Sequence, residues 1–273
     1  MPKGGHIYLL TSHLPRLRMD PRVKSWPLLG HPIPGLTLLG LYLMFVFKWG
    51  PRFMKNRPAY NLDKIVMVYN AFQVVACFHI FYVAWGWNYK WVCEPVDFST
   101  SKHAVTVARY CYYYFLLKVL DLLDTIFFVF RKKNNQITFL HVYHHAGMVL
   151  LLWGGHGTLV GVINCFVHVV MYSYYLLTIA FPQYKKSMWW KKYITQLQIV
   201  QFLWLVIHFI LLVFADPATC KYPRWSAALF LPQNLFMLIL FIDFYIKAYI
   251  RKPKATNTWA GKAFYKERTH RTF

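Results

Sequence analysis

Three histidines within five residues, His141-Val-Tyr-His144-His145, lie in an otherwise apolar segment that runs from Ile137 to Gly154. On a helix, spacing of i, i+3 and i+4 gathers their imidazoles on an arc of roughly 100°. Imidazole can be nucleophile, general base or metal ligand near neutral pH, so the cluster points to chemistry without fixing its kind. Other polar groups recur in apolar surroundings: Lys118, Asp121, Asp124 and Thr125; Asn164, His168, Met171, Tyr172 and Tyr175; Thr195, Gln198 and Gln201. At helical pitch, Lys118, Asp121 and Thr125 fall within about 60° of one another, with Asp124 at the edge. The second set shares one face, and the third drifts slowly around its helix. Singly, each Asn or Gln reads as glue between helices and Lys118 with Asp121 as an internal ion pair. Four such stripes on four apolar segments suggest a shared cavity. His79 and His208 read as structural histidines, and Trp189 with Trp190 as an interfacial aromatic belt.

The elements that must position these groups are membrane helices. A 273-residue chain that is 58% hydrophobic, 20% aromatic and 15% charged does not have the composition of a water-soluble globule. Apolar runs fall at about 36–49, 65–87, 110–130, 137–153, 158–181, 194–214 and 227–250. Most approach the ~20 residues a helix needs to cross the hydrocarbon, and the period-two pattern of spanning strands is absent. The expected fold is therefore an all-α polytopic membrane protein with seven transmembrane helices. It reads as a single domain over 1–273: an N-terminal segment 1–33, polar and Pro-rich, a seven-helix core 34–250 and a basic tail 251–273. Met1 to Leu10 lacks a signal-peptide pattern, so the first span would serve as targeting signal.

The net charge of +22 could suit nucleic acid, anionic lipid or a phosphorylated small molecule. Nucleic acid is the weakest of these, because the basic residues sit in short loops between apolar runs. The first, third and fifth connections and the C-terminal tail hold the larger share of Lys and Arg, which predicts a luminal N-terminus and a cytosolic C-terminus. Only Cys93 and Cys220 then fall in non-cytosolic connections, while Cys77, Cys111 and Cys165 lie in spans. A Cys93–Cys220 disulfide is expected on that basis, with two free thiols as the alternative.

Three functional classes compete. A membrane di-iron desaturase or hydroxylase also uses His-x-x-His-His, but two irons need many nitrogen ligands, and no second histidine cluster accompanies the first. A lipid or ion transporter explains an intramembrane Lys and Asp but has no need of three adjacent imidazoles. Acyl transfer fits better: imidazole accepts an acyl group while keeping it activated, a second imidazole handles the proton, and a basic cytosolic rim suits the phosphates of coenzyme A.

The boxes Lys118-Val-Leu-Asp121-Leu-Leu-Asp124-Thr125, His141-Val-Tyr-His144-His145, Asn164-Cys-Phe-Val-His168-Val-Val-Met171-Tyr172-Ser-Tyr174-Tyr175 and Thr195-Gln-Leu-Gln198-Ile-Val-Gln201 resemble, in order and spacing, those of the fatty acid elongases of the endoplasmic reticulum. The histidine box alone would be weak; four ordered boxes are specific. One departure is Asp121, where the family usually has Glu. The resemblance implies six of seven helices closed around a tunnel sealed at its luminal end, a luminal disulfide, and location in the endoplasmic reticulum. It also implies condensation of a long-chain acyl-CoA with malonyl-CoA to a 3-oxoacyl-CoA two carbons longer, with release of CO2 and CoA. Neither metal nor redox cofactor is implied, and reduction and dehydration would fall to partner reductases and a dehydratase in the same membrane. The tail, ending Arg268-Thr-His-Arg271-Thr-Phe273, carries no lysine-pair retrieval signal.

The resemblance supports His144 as nucleophile, His168 as its partner across the tunnel and His141 as a site-lining group. His145 is assigned to orientation or proton handling. Asn164 and Gln198 or Gln201 are expected to donate to a carbonyl or enolate oxygen; Lys118 with Asp121 and Asp124 to shape the site; Lys118, Tyr174 and Thr195 to contact substrate. For the coenzyme, Arg131, Lys133, Gln136, Lys191 and Arg251 are placed at the cytosolic mouth, the alternative for each being a loop charge that only sets orientation. Cys165 is the rival nucleophile, rotated about 100° from Asn164.

Overall fold

The computed structural model describes residues 20–87, 89–154, 157–186 and 188–251. The expected N-terminal segment up to residue 19 and the tail from residue 252 lie outside these described residues. Among them there are helices and connections and no strand. The helices are α1 (Pro32–Met54), α2 (Asp63–Trp85), α3 (Lys102–Leu120), α4 (Leu122–Phe130), α5 (Phe139–Gly154), α6 (Thr158–Ala180), α7 (Met188–Phe214) and α8 (Arg224–Tyr245). Because α3 and α4 are halves of one helix interrupted at Asp121, these make up the seven expected segments.

Five of the segments are long and apolar enough to cross a membrane: α1, α2, α6, α7 and α8 with its extension to Ile250. The other two are those that carry Lys118, Asp121, Asp124 and the three histidines, polar residues that lower hydropathy. At 16 residues, α5 is also only about 24 Å long. Several boundaries move outward from the apolar runs. For example, α7 begins at Met188 rather than near Ile194, since Trp189, Trp190 and Tyr193 suit a helical turn at an interface.

Local capping starts two of the helices. The His31 side chain accepts from the Ile33 amide, with Pro32 at the first helical position of α1, and the Ser101 hydroxyl accepts from the Ala104 amide at the start of α3. The break at Asp121 keeps its hydrogen bond to the Leu117 carbonyl.

Neighbouring helices close a ring: α2 packs on α6, α6 on α7, α7 on α8, α8 on α5, α5 on α3 and α4, and α3 back on α2, while α1 lies outside against α4 and α5. Six segments thus enclose an interior, as expected. The close approach of α1 to α4 needs Gly50, where an added Cβ would meet Val129 at 2.7 Å. The outer surface is apolar, as lipid requires. On α2, Ile65, Val68, Phe72, Val75, Phe78 and Tyr82 are exposed, whereas Tyr69, Asn70, Gln73, Cys77 and Ile80 are buried on the opposite side.

Residues 20–30 differ from a plain surface loop. Trp26 packs on Tyr112 at 4.9 Å, the Trp153 indole donates to the Leu28 carbonyl at 2.9 Å, and Arg22 clamps Asp20 and the Ser99 carbonyl. Apolar Trp26 and Leu29 give this short segment a reason to dock.

The expected disulfide is present. Cys93 and Cys220, 127 residues apart, join the α2–α3 connection to the α7–α8 connection, with Cα atoms 5.9 Å apart. Closing so long a loop restricts the unfolded chain, so the Cys93→Ser/Cys220→Ser double variant is expected to lose on the order of 2–4 kcal/mol. Thermal unfolding in detergent with and without reductant measures this, and an unchanged midpoint would refute it.

Candidate active site

The three histidines of α5, alike in sequence, have different surroundings. His141 Nε2 meets the Thr125 hydroxyl at 2.9 Å, and Thr125 meets the Tyr42 hydroxyl at 2.8 Å, so His141 is tied through α4 to α1. His145 is buried, its ring 4.3 Å from that of His141. His144 instead turns toward α7 and α8, edge-on to Phe202 at 6.1 Å and Phe241 at 6.5 Å. Its Nδ1 is buried and finds no hydrogen-bond partner among the described residues. A buried polar atom without a partner is costly and calls for explanation; a reacting or substrate-binding atom is one.

Facing it, α3 and α6 build a charged network. Lys118, 2% exposed, donates to Asp121 Oδ2 at 2.7 Å and lies 3.2 Å from His168 Nδ1. An ammonium has only hydrogens to offer, so whichever ring nitrogen it bonds must accept; Nε2 also lies within reach, at 3.4 Å. His168 Nδ1 is also 3.7 Å from Asp121 Oδ2. Tyr172 donates to Asp124 Oδ2 at 2.7 Å and lies 3.2 Å from Asp121 Oδ1. Asp121 is thus long enough to hold Lys118 despite lacking one methylene of Glu. One turn before Lys118, Tyr114 places its ring 5.1 Å from the ammonium and donates to Asn164 Oδ1 at 2.9 Å. That leaves the Asn164 NH2 group for another acceptor. Among the described residues, His144 is within electrostatic reach of both Lys118 and His168.

A third group lies toward the α7 start and α8 end. Tyr174 and Gln201 are buried, and neither the Tyr174 hydroxyl nor Gln201 Oε1 finds a hydrogen-bond partner among the described residues. Thr195 donates back to the Lys191 carbonyl at 3.0 Å, while Gln198 gives its amide to Met171 Sδ at 3.7 Å. The atom left over on Gln201 is thus an acceptor, while Gln198 spends one amide hydrogen on the thioether. Around the expected coenzyme mouth the outcome is mixed. Arg131 is turned to Asp63 of α2 in an ion pair, which occupies its guanidinium. Gln136 Oε1 is buried without a partner among the described residues, Lys133 and Lys191 are half-buried, and Arg251 is exposed.

Four contributors escaped the sequence reading: Tyr42, Tyr69, Gln73 and Tyr114. The signal for two of them was present, since Tyr69, Asn70, Gln73 and Cys77 form a polar stripe on α2. Cys165, the rival nucleophile, is fully buried against Cys77 of α2, in the wall between helices. Among the described residues, no three His, Cys, Asp or Glu side chains are arranged to hold a metal ion. A cavity of about 550 Å³ occupies the end of the ring nearest the disulfide, with Phe115, Leu152, Trp153 and Val162 in its walls and Tyr114 at its inner boundary. Val23 and Leu29 line it from the docked segment 20–30.

Comparison with known proteins decides the family. Residues 27–257 match the model of the ELO: GNS1/SUR4 family. The chain belongs to the ELO: GNS1/SUR4 family. It is 39% identical over 250 residues to very long chain fatty acid elongase 7 of Rattus norvegicus, covering 88% of this chain and 89% of the relative. It is 38% identical over 252 residues to very long chain fatty acid elongase 4 of Homo sapiens, covering 88% and 79%. Very long chain fatty acid elongase 7 of Drosophila melanogaster is 37% identical over 246 residues, covering 86% and 74%. The matched region of this ELO family chain runs from the docked segment through every helix, and so includes each group of the site.

Proposed function

We propose that the chain is the condensing enzyme of fatty acid elongation, an acyltransferase that joins a long-chain acyl-CoA with malonyl-CoA. The products are a 3-oxoacyl-CoA two carbons longer, CO2 and free CoA. Family membership supports the reaction class. The observation that carries the chemistry is the unpartnered, buried Nδ1 of His144, opposite His168 and its Lys118–Asp121 support.

In this reading an imidazole nitrogen of His144 attacks the thioester carbonyl, the C–S bond breaks, and the CoA thiolate takes a proton through His145 or His168. The acyl group rests on His144 as an acyl-imidazole. Malonyl-CoA then loses CO2, the resulting enolate carbon attacks the acyl carbonyl, and His144 is released. The amide of Asn164 and that of Gln198 or Gln201 would donate to the oxygens on which charge develops. Lys133, Gln136, Lys191 and Arg251 receive the coenzyme, with Arg131 joining them only if it leaves Asp63. The driving force is decarboxylation and thioester cleavage, so the step calls on no redox cofactor or metal.

The test is intact-mass measurement of purified protein after acyl-CoA alone, with peptide mapping. An acyl adduct on His144 is expected; an adduct on Cys165, or condensation with no adduct, refutes the intermediate. The same reading places the chain in the endoplasmic reticulum membrane, N-terminus luminal and C-terminus cytosolic, beside the reductases and dehydratase that process its product. Glycosylation-acceptor tags at each end check the orientation: only the N-terminal tag should be modified.

A further inference from the structure

Gln73 of α2 holds one of the carboxylates of the site without touching any of its histidines in a hydrogen bond among the described residues. Gln73 is 0% exposed. Its Nε2 donates to Asp121 Oδ1 at 2.7 Å and to the Tyr69 hydroxyl at 2.9 Å, while its Oε1 finds no partner among the described residues. Both hydrogens of the amide are therefore spent in one direction, at the expense of an unsatisfied oxygen. The Tyr69 hydroxyl in turn lies 3.4 Å from the Leu120 carbonyl, at the residue just before the break between α3 and α4, and 3.4 Å from the Tyr172 hydroxyl. One side chain thus ties the Asp121 carboxylate to the Tyr69 hydroxyl.

The consequence follows from what each oxygen of Asp121 receives. Oδ2 takes the Lys118 ammonium at 2.7 Å; Oδ1 takes Gln73 at 2.7 Å and Tyr172 at 3.2 Å. Tyr172 has one proton, and its shorter contact is to Asp124, at 2.7 Å. Without Gln73, Oδ1 keeps only a share in that hydroxyl, and the carboxylate is free to rotate about its short side chain. Lys118 would follow it, and His168 lies 3.2 Å from Lys118. We propose that Gln73 is a positioning residue for the condensing reaction, holding Asp121 so that Lys118 and His168 face the reacting carbonyl in register. The proposal rests on the reading of His144 and His168 as the acyl-transfer pair. An amide suits the task because it donates at every pH and brings no second charge to a buried carboxylate.

Two variants in the full-length protein test this. Gln73→Leu removes the donor and is expected to lower kcat about 10- to 100-fold, the scale of a misplaced catalytic group, while KM for acyl-CoA stays within about threefold. Gln73→Glu keeps the shape. Protonated, it donates one O–H to Asp121; ionised, it repels that carboxylate. Its activity relative to wild type should therefore be highest at the acid end of the pH profile and fall about tenfold or more toward the alkaline end. Gln73→Leu should show a flat ratio. Wild-type kcat in Gln73→Leu overturns the proposal, as does a pH-independent loss in Gln73→Glu, which would make the residue merely structural. A wild-type protein that condenses substrates without an adduct on His144 would instead count against the acyl-histidine reading, so the two failures are distinct.

Discussion

Substitution of His144 by alanine is expected to lower condensation by about three orders of magnitude or more and to remove the acyl adduct from the intact-mass spectrum. The neighbouring histidines should behave differently, although the three differ little in sequence context. His141 is held by Thr125, itself bonded to Tyr42. His141→Ala should therefore act on stability, by about 1 kcal/mol for a lost buried hydrogen bond, and on rate through the position of α5. His145, its ring 4.3 Å from that of His141, should give an intermediate loss if it relays the proton. Side-by-side turnover and unfolding measurements on the three alanine variants check this order. Equal losses at all three positions would mean that they act as one unit, as metal ligands do.

Lys118→Met should be among the most destabilising changes in the chain. It leaves Asp121 buried at 2% exposure without its counter-ion, and breaking a buried pair from one side costs about 3–5 kcal/mol. The double variant Lys118→Met/Asp121→Leu removes both charges and should regain most of that stability, because a buried pair is often replaceable by apolar residues. Activity should stay lost in both, since neither offers His168 an ammonium to accept from. Thermal unfolding and turnover on the same preparations separate these effects. An active, stable double variant would reduce Lys118 and Asp121 to a structural link between α3 and its neighbours.

The histidine cluster and the stripe from Asn164 to Tyr172 were legible because helical pitch converts spacing directly into a shared face, whereas Tyr175, expected on that face, is exposed. The disulfide was legible because topology left only Cys93 and Cys220 on one side. Other features depend on tertiary contacts that no spacing encodes. Arg131 and Asp63 come from different helices, and their pairing turns a basic residue expected at the coenzyme mouth toward α2. The interruption at Asp121 has no Pro or Gly to announce it; it coincides with the carboxylate on which Lys118, Gln73 and Tyr172 converge. Gln73 itself is uncharged and sits in an apolar run, where one glutamine is ordinary. Only the carboxylate opposite it makes it more than that.

On the proposed acyl-CoA chemistry at His144, the short length of α5 bears on how a large, charged coenzyme would reach a membrane-embedded atom. His144 is five residues from the first residue of this 16-residue helix, a depth of about 8 Å. A segment shorter than the hydrocarbon is accommodated by local thinning of the bilayer, which brings that end still nearer to water. The phosphates can then stay hydrated outside, with only the neutral arm of the thioester threading inward. The two halves of such a substrate would be sorted by solvent before any side chain discriminates between them.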